Sequence, residues 1–560
     1  MKIKEQVLKF ICQQGVKNLF MIPGGLVDPF LTAFDSQPGV TPIVAAQEGG
    51  AAYMADGYAR ASKKFGVCLC IGGPGATNTT TAILAARSDL SPLLVISGEV
   101  PTSMEGIGAF QDASIVGLDD FDILKSATKY SVTIENPQLF HHHFQNAFTH
   151  LLSSNPAPVH ICLPTNVQES DIPESLPPNT GLGHCPTLDI HAAEACLDYF
   201  QATKIVILAG QGVDSADGAN ALRSVCESLD IPVATTLRAK GVFPENHPLS
   251  LGVFGYAGTA HASKALQCDE LDVLVVLGSG LNQRDSMYWS KSVAPKQAFI
   301  QVNCNPSAFH NNYKHSQLVL GDCRAFLELI LSAKLTQNNA RADWVKKITE
   351  GPRLYDVENL VSDAQPIHPA RVIHDLREVA PKDTVLVVDS GAHRAFCGHY
   401  WTCYGPNEYI SATNLGPMGW AIPAGIGAKL ARPQQPCCVV TGDGCMLMHG
   451  MEIQTAARYN VPVVFVVINN AALGNVYLRA ATLGTTPMEL TSLPNHDWAM
   501  FAKSLGVSSE TIENPADLKA AFTRAFTANK PYLLDIKCDK RCETPCEPFI
   551  DAKRAWSYHE

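Results

Sequence analysis

Residues 437–470 read CCVVTGDGCMLMHGMEIQTAARYNVPVVFVVINN, and this stretch predicts the fold of the C-terminal third of the chain. Two apolar runs, 437–441 and 461–468, have the length and composition of buried parallel strands. A helical pattern over 448–459 separates them, so strand, helix and strand form one right-handed crossover with both strands pointing the same way. The residues that follow the two strands are therefore expected to meet at one edge of a sheet.

Oxygen ligands follow each of these strands. Asp443 lies in the turn Gly442-Asp443-Gly444 after the first strand, and Asn470 follows the second strand, 27 residues after Asp443. Mg²⁺ prefers oxygen ligands such as these and shares them with phosphates, and the backbone carbonyl of Ala472 could supply a third. Glycines let the backbone approach a phosphate closely, and the following helix presents free N–H groups. The turn alone is a common sequence, but the whole unit predicts a metal and diphosphate site.

The alternation of apolar runs with helical patterns extends over most of the 560 residues. A stretch rich in Pro, Ser and Gly at 169–186 and a polar stretch at 336–366 divide the chain. Strands alternating with helices indicate parallel sheets. We predict an α/β protein of three domains, each with a central, mostly parallel sheet flanked by helices. The expected boundaries are 1–170, 190–335 and 366–540, followed by a C-terminal tail at 541–560.

Composition narrows the classes of partner. The formal net charge of −11 argues against nucleic acid and against an anionic membrane surface as partners. No stretch reads as a signal peptide or a membrane span, so we expect a cytoplasmic protein whose 18 cysteines are reduced. The spacing of Cys538, Cys542 and Cys546 matches no zinc pattern and favours plain thiols.

Several segments together resemble one known group of enzymes. The stretch 442–470 resembles the cofactor motif of the thiamine diphosphate-dependent superfamily that includes pyruvate decarboxylase and acetolactate synthase. Further segments resemble acetolactate synthases in the family's own order: IPGGLVDPF (22–30), QEGGAAYMADGYAR (47–60), GGPGATN (72–78), NLGPMGWAIPAG (414–425) and NNAALGNV (469–476). The resemblance implies thiamine diphosphate and Mg²⁺ as cofactors. It also implies two thiamine diphosphate-binding domains around a Rossmann-like middle domain, in a homodimer or homotetramer with shared active sites.

The resemblance assigns roles to individual residues. Glu48 matches the catalytic glutamate that hydrogen-bonds the aminopyrimidine of the cofactor, although by itself it reads as a helix N-terminal carboxylate. Met418 matches the apolar support beneath the bent cofactor, and its alternative reading is a core methionine. Gln111 could hydrogen-bond the reacting molecules, and Gly25 matches a loop that faces the site from the partner chain. The other expected cofactor-binding residues are Gly391, His393, Gly416, Gly442, Asp443, Gly444, Cys445, Asn470 and Gly474, with Asp443, Asn470 and Ala472 as metal ligands.

The segment 108–132 resembles acetolactate synthases as well, which implies a carboligase. Such an enzyme decarboxylates pyruvate or a related 2-oxoacid and adds the acyl unit to a second carbonyl. Asn475 and Arg479 depart from the apolar residue and the tryptophan of the biosynthetic enzymes, which puts acetolactate itself in doubt. Flavin-binding members of the family carry one arginine and two acidic residues in the middle domain, and this chain retains only the arginine, Arg284. FAD is therefore possible but not favoured. A simple 2-oxoacid decarboxylase or C–C lyase, and a non-catalytic regulatory subunit, remain as alternatives.

Overall fold

The computed structural model describes residues 1–173, 187–215, 217–309, 313–483 and 488–545, except for the side chains at 482, 483 and 488. Most of the tail predicted at 541–560 therefore lies outside the described residues, as does Cys546. The cysteines within the described ranges are all free thiols. No helix in those ranges is long and apolar enough to cross a membrane.

Three parallel sheets, each of six strands, organise the described residues. Every pairing between neighbouring strands is parallel. Helices flank each sheet, which confirms the predicted three-domain α/β architecture. The exact domain boundaries stay a prediction.

The first sheet has the order β2-β1-β3-β4-β6-β5. Its strands are β1 to β6, in chain order Asn18–Met21, Thr41–Val44, Gly66–Ile71, Leu93–Glu99, Tyr130–Thr133 and Val159–Pro164. The helices of this domain are α1 to α8, in chain order Ile3–Gln13, Asp28–Ser36, Glu48–Ser62, Pro74–Asn78, Thr80–Ser88, Asp120–Ala127, Phe140–Leu151 and Thr165–Gln168.

The middle sheet has the order β12-β11-β10-β7-β8-β9. Its strands are β7 to β12, in chain order Ile205–Ala209, Val233–Thr235, Ser250–Val253, Val273–Leu277, Ala298–Asn303 and Gln317–Leu320. The helices of this part are α9 to α14, in chain order Ile190–Glu194, Gln211–Ser215, Ala219–Leu229, Ala260–Leu266, Cys323–Ser332 and Arg341–Ile348.

The third sheet has the order β14-β13-β15-β16-β18-β17. Its strands are β13 to β18, in chain order Val385–Val388, Tyr409–Ile410, Cys437–Gly442, Val463–Asn469, Ser508–Ile512 and Tyr532–Lys537. The helices are α15 to α22, in chain order Pro369–Val379, Ala392–Tyr400, Ala421–Ala431, Asp443–His449, Ile453–Arg458, Gly474–Leu483, Trp498–Ser504 and Leu518–Thr527. The strand order reverses between β13 and β15, and ligands bind parallel sheets at such a point.

The first and third domains share one apolar core. Helix α3 of the first domain packs along α17 of the third, and both helices have glycines at the contact. A Cβ at Gly57 would collide with the backbone of Ala424, and a Cβ at Gly427 would collide with the backbone of Met54. These glycines allow the two helix backbones to lie unusually close together, which fixes the third domain against the middle of α3.

The helix predicted between the two central strands differs from the observed one. The chain turns into helix α18 at Asp443 itself, as soon as β15 ends, and α18 stops at His449. A 3₁₀ turn over Gly450–Glu452 follows before α19 begins at Ile453. Glu452 lies in this turn, and its carboxylate accepts hydrogen bonds from the first domain.

Candidate active site

A cavity of about 280 Å³ opens at the reversal point of the third sheet. It lies beyond the carboxyl ends of β13, β15 and β16, where the sequence places its metal and diphosphate motif. The structure brings together most of the expected residues here: the cavity is lined by Gly391, His393, Gly416, Met418, Gly442, Asp443, Gly444, Cys445, Asn470, Ala472 and Gly474.

Asp443 is buried and held from two sides. Its Oδ1 accepts a hydrogen bond from the backbone N–H of Gly444 at 2.9 Å, and its Oδ2 accepts one from the N–H of Ala472 at 3.1 Å. Burial raises the pKa of Asp443 to about 6, against the opposing effect of these hydrogen bonds. A buried carboxylate of this kind is stabilised by a bound cation.

The two adjacent asparagines have different surroundings. Asn469 is buried, and its amide nitrogen donates to Asp535 Oδ1 at 2.9 Å and to the carbonyl of His496 at 3.0 Å. Asn470 lines the cavity instead. The first asparagine therefore fastens β16 to β18, and the second is the one available to a ligand.

His393 contributes an unpaired nitrogen. Its ring packs against the backbone of Gly391 and Gly442, where a Cβ on either glycine would crowd the ring atoms. The Nε2 atom is buried and makes no hydrogen bond to any residue in the described part of the chain. Burial lowers the pKa of His393 to about 3, so the imidazole is neutral. A buried polar atom in such a position calls for a ligand or water partner.

Met418 lies directly beside Gly444 in the lining of the cavity. A Cβ at Gly444 would lie 2.9 Å from Met418 Cε and 2.8 Å from a methyl carbon of Leu473. Gly416 has φ of +65°, a left-handed conformation that favours glycine. The floor of the cavity is therefore shaped by the absence of side chains at these glycines.

These features together fit a diphosphate with a divalent cation. Asp443 offers a buried carboxylate, His393 an unpartnered nitrogen, and Gly442 and Gly444 a surface free of side chains. Oxygen ligands beside an anion-accepting surface suit Mg²⁺ shared with phosphate oxygens.

Three expected residues do not line this cavity within their own chain. Glu48 begins α3 in the first domain, is half-buried, and accepts a hydrogen bond from Asn78 Nδ2 at 3.0 Å. Gly25 is exposed, with no atom within 4 Å of a Cβ built there. Gln111 has φ of +61° and follows Phe110, whose side chain is 86% exposed.

The mouth of the cavity is polar and carries cations. Asn475 and Arg479 of α20 line it, as the sequence suggested from their departures from the family pattern. Arg284 of the middle domain also lines it, and its guanidinium lies 4.5 Å from the ring centroid of Tyr256. Lys129, in the segment 108–132, does not line this cavity and donates hydrogen bonds to Ser153 Oγ and to the carbonyl of Asn155.

Sequence reasoning missed Glu452. Its carboxylate accepts hydrogen bonds from the N–H groups of Ala46 and Gln47, the two residues before Glu48, and from Thr455 Oγ1. The side chain is buried, which raises the pKa of Glu452 to about 7. The only signal in the sequence was an acidic residue among apolar ones in a predicted helix.

Comparison with known domain families gives three matches along the chain. Residues 1–119 match the N-terminal TPP binding domain of thiamine pyrophosphate enzymes, 196–330 match their central domain, and 389–536 match their C-terminal TPP binding domain. The fold, the cavity and these matches define a thiamine diphosphate-dependent enzyme.

Similarity to individual proteins extends over nearly the whole chain. It is 34% identical to the probable acetolactate synthase large subunit of Methanocaldococcus jannaschii, over 98% of this chain and 94% of that protein. It is 29% identical to the acetolactate synthase isozyme 3 large subunit of Escherichia coli, over 96% of this chain and 94% of that protein. It is 30% identical to an acetolactate synthase of Mycobacterium bovis, over 95% of this chain and 87% of that protein. The chain belongs to the acetolactate synthase family and is a carboligase of that type.

Proposed function

We propose that the enzyme decarboxylates pyruvate or a related 2-oxoacid and adds the acyl unit to a second carbonyl compound. The observation that carries this proposal is the composition of the cavity. Its floor, at Gly442, Asp443 and Gly444, suits a diphosphate with a divalent cation, and its mouth is polar and carries Arg284 and Arg479. The relatives named as acetolactate synthases support the same reaction class.

Different residues of the cavity would bind different parts of the cofactor. Asp443, Asn470 and the carbonyl of Ala472 would bind Mg²⁺, which in turn would hold the diphosphate oxygens. The neutral imidazole of His393 would donate a hydrogen bond from its Nε2–H group to a diphosphate oxygen, and Met418 would support the cofactor from below. Bound thiamine diphosphate would supply a nucleophilic carbon, which can add to the carbonyl of a 2-oxoacid, and a cationic ring, which can accept the electrons released by loss of CO₂.

Charge at the mouth suits an anionic substrate. Arg284 and Arg479 both line the cavity and can attract the carboxylate of a 2-oxoacid. Asn475 adds an amide that can hydrogen-bond a carbonyl oxygen of the acceptor. An apolar residue at this position could not, so we expect an acceptor with polar groups near its reacting carbonyl.

We further propose that two chains build each active site. Glu48, Gly25 and Gln111 do not line the cavity of their own chain, so a partner chain would bring them there. The segment that carries Gln111 presents large apolar side chains to solvent, as does helix α18, which begins at Asp443. The exposed residues concerned are Ile107, Phe110, Val116, Leu118, Leu447 and Met448. Such surfaces indicate a protein interface, which a homodimer or homotetramer would cover.

Three finer assignments complete the proposal. We place the enzyme in the cytoplasm, where free thiols persist.

We expect activity without FAD, so the purified active enzyme should lack a flavin absorption spectrum. We keep 1–170, 190–335 and 366–540 as the domain boundaries, which limited proteolysis can test through the sizes of the stable fragments.

A product screen tests the reaction. The purified chain, with thiamine diphosphate and Mg²⁺, is incubated with 2-oxoacids alone and with added aldehydes, and the products are read by mass spectrometry. We expect a joined product together with CO₂, and none from the Asp443→Asn variant. Release of an aldehyde and CO₂ alone would identify a simple decarboxylase, and cofactor binding without turnover of any substrate would favour a regulatory subunit.

A further inference from the structure

Two buried carboxylates stand at the ends of the segment that carries Gln111. This segment, residues 100–119, connects β4 to α6, and we call it the Gln111 loop. Glu99 is the last residue of β4, and Asp120 is the first residue of α6. Only 1% of Glu99 and 5% of Asp120 is exposed, so both acids lie in the interior of the first domain.

The two acids hold Ala113, two residues after Gln111, from both sides. Glu99 Oε1 accepts a hydrogen bond from the backbone N–H of Ala113 at 3.2 Å. The backbone carbonyl of Ala113 accepts one from the N–H of Asp120 at 3.4 Å. The same Glu99 oxygen accepts a hydrogen bond from the N–H of Val100 at 2.8 Å, directly after β4. The middle of the Gln111 loop is thereby fastened to the end of a central strand.

The side chain of Asp120 reaches a second loop, next to Glu48. Its Oδ2 accepts a hydrogen bond from the N–H of Gly73 at 2.7 Å, directly before α4. Asn78, the last residue of α4, donates to Glu48 Oε2 at 3.0 Å. A Cβ on Gly75 of the same helix would lie 3.6 Å from Glu48 Oε1. Helix α4 therefore lies beside the Glu48 carboxylate, and Asp120 is joined to that helix through Gly73.

The two loops also touch each other directly. A Cβ built on Gly72 would lie 3.6 Å from Ala113 Cβ and 3.1 Å from Glu99 Oε2. A Cβ on Gly73 would lie 3.8 Å from Ala113 Cβ. The contacts of Glu99 and Asp120 therefore join the surroundings of Gln111 to those of Glu48 within one part of the first domain.

Backbone N–H groups are the partners of these carboxylates, and neither acid is paired with a Lys, Arg or His side chain in the part of the chain that the structure describes. Burial raises the pKa of Glu99 to about 7, and the negative charges of Asp120 and Asp112 add to the shift. Burial raises the pKa of Asp120 to about 6. Burying carboxylates without a countercharge costs stability, and acids perturbed in this way cluster at functional sites.

We propose that Glu99 and Asp120 are positioning residues, which hold Gln111 in a fixed place relative to Glu48 so that both reach one bound cofactor. We call the pair the two-acid clamp. The proposal rests on the proposed function, in which Glu48 and Gln111 serve the cavity of a partner chain. Glu48 begins a helix, whereas Gln111 lies in a loop whose position depends on the clamp. A displacement of about 1 Å is enough to lower the rate of a reaction strongly.

Amide hydrogen exchange tests the clamp without any turnover. The full-length chain with thiamine diphosphate and Mg²⁺ is compared with Glu99→Ala and Glu99→Gln, by mass spectrometry of fragments that cover 106–119. Glu99→Ala removes the acceptor, so the amide of Ala113 should exchange at least about tenfold faster, the factor for loss of one hydrogen bond to a charged group. Glu99→Gln keeps a side-chain oxygen and should exchange like the wild type. Asp122→Ala is the matched control, because this carboxylate of α6 is exposed and lies 3.9 Å from Lys125.

A double-mutant cycle with Gln111→Ala tests whether the clamp acts through Gln111. In the wild-type background, Glu99→Ala should lower kcat at least about tenfold, while the affinity for thiamine diphosphate changes less than about threefold because the diphosphate is held by the third domain. In the Gln111→Ala background, the same substitution should lower kcat less than about twofold, because the side chain that the clamp positions is absent. Glu99→Gln and Asp122→Ala should keep the wild-type kcat.

Three results would overturn the proposal. Unchanged exchange at Ala113 in Glu99→Ala would show that this hydrogen bond does not hold the loop. Equal losses of kcat in the two backgrounds would leave Glu99 with a general structural role. A kcat of Glu99→Gln as low as that of Glu99→Ala would contradict the role of the acceptor oxygen.

Two further outcomes have their own arms in this design. If Glu99→Ala does not fold, Glu99→Leu decides, since it removes the acceptor without opening a cavity. Absence of turnover by the wild type would reject the proposed function, and the exchange measurements would still decide whether the clamp holds the loop.

Discussion

At the scale of single residues, the space at Gly444 determines how the cofactor can be held. A Cβ there would lie 2.8 Å from Leu473 and 2.9 Å from Met418, closer than side chains pack. Both contacts are with the ends of flexible side chains, so the fold can adapt by moving them. The adaptation would shift Met418 from its position on the cavity floor.

We therefore predict that Gly444→Ala weakens thiamine diphosphate binding about tenfold or more and lowers the free energy of unfolding by about 1–3 kcal/mol, the usual cost of overpacking. Cofactor titration and denaturant unfolding measure the two effects. Gly280→Ala is the control, since a Cβ at Gly280 has its nearest neighbour at 3.5 Å. Cofactor affinity as tight in Gly444→Ala as in wild type would refute this account of the floor.

Glu452 is a second residue whose effect can be predicted. Replacement by Ala leaves the N–H groups of Ala46 and Gln47 without their acceptor, directly before Glu48. We expect a loss of about 1–3 kcal/mol in unfolding free energy for the unsatisfied donors, together with a lower kcat because the start of α3 loses its support. Glu328→Ala, at an exposed ion pair with Arg324, should cost less than about 1 kcal/mol. An unchanged kcat in Glu452→Ala would contradict the proposed support.

These residues also show what the sequence could not reveal. Gly442, Asp443 and Asn470 were identified because strand, turn and crossover place them together by local rules. The separate role of Asn469 depends on Asp535 and His496, and that of Glu452 depends on the first domain. Contacts between residues so distant along the chain leave no periodic pattern in the sequence.

At the scale of elements, one histidine links three neighbouring strands. His160 on β6 is hydrogen-bonded through Nε2 to Ser97 of β4 and through Nδ1 to Ser131 of β5, both at 2.8 Å. Burial lowers the pKa of His160 to about 3. In the unfolded chain the group would titrate near its ordinary value of about 6.5.

The direction of the pH effect follows from this difference. Below about pH 6.5 the unfolded chain takes up a proton that the folded chain cannot, so the stability contributed by neutral His160 is present above that pH and lost as the pH falls towards 3. We predict that the stability advantage of wild type over His160→Gln shrinks by about 1.4 kcal/mol per pH unit below about pH 6. Denaturant unfolding from pH 7 to 5 measures it. Val159→Ala on the same strand should give a difference from wild type that does not vary with pH.

The sequence predicted the strands more accurately than the helix between them. Apolar runs such as 437–441 and 461–468 gave β15 and β16 correctly, because strands buried on both faces are continuous and apolar. The helix between them was expected at 448–459, yet it starts at Asp443 and is interrupted at Gly450–Glu452. The interruption is stabilised by hydrogen bonds to another domain, so helical periodicity could not indicate it.

At the scale of the whole molecule, the three-sheet architecture followed from the alternation of strands and helices, but the packing of the three domains against one another did not. A cavity of about 530 Å³ where the three domains meet is lined by segments more than a hundred residues apart, such as those of Ser91, Arg238 and Ile410. No local pattern relates these positions. The same limit applies to the active site, whose expected parts divide between the first and third domains.

That division gives the sharpest test of a shared active site. If Glu48 of one chain serves the cavity of its partner, then Glu48→Gln and Asp443→Asn should each be inactive alone. A mixed dimer would contain one site with both residues intact and one site lacking both. After unfolding and refolding of an equal mixture, half of the dimers are mixed, so activity should return to about a quarter of the wild-type value. The control mixes Asp443→Asn with Asn470→Ala, whose changes fall in the same cavity: each cavity then carries one or the other substitution in every pairing, and no activity should return. Failure of the first mixture to regain activity, while mixed dimers form, would place Glu48 and Asp443 of one active site on a single chain.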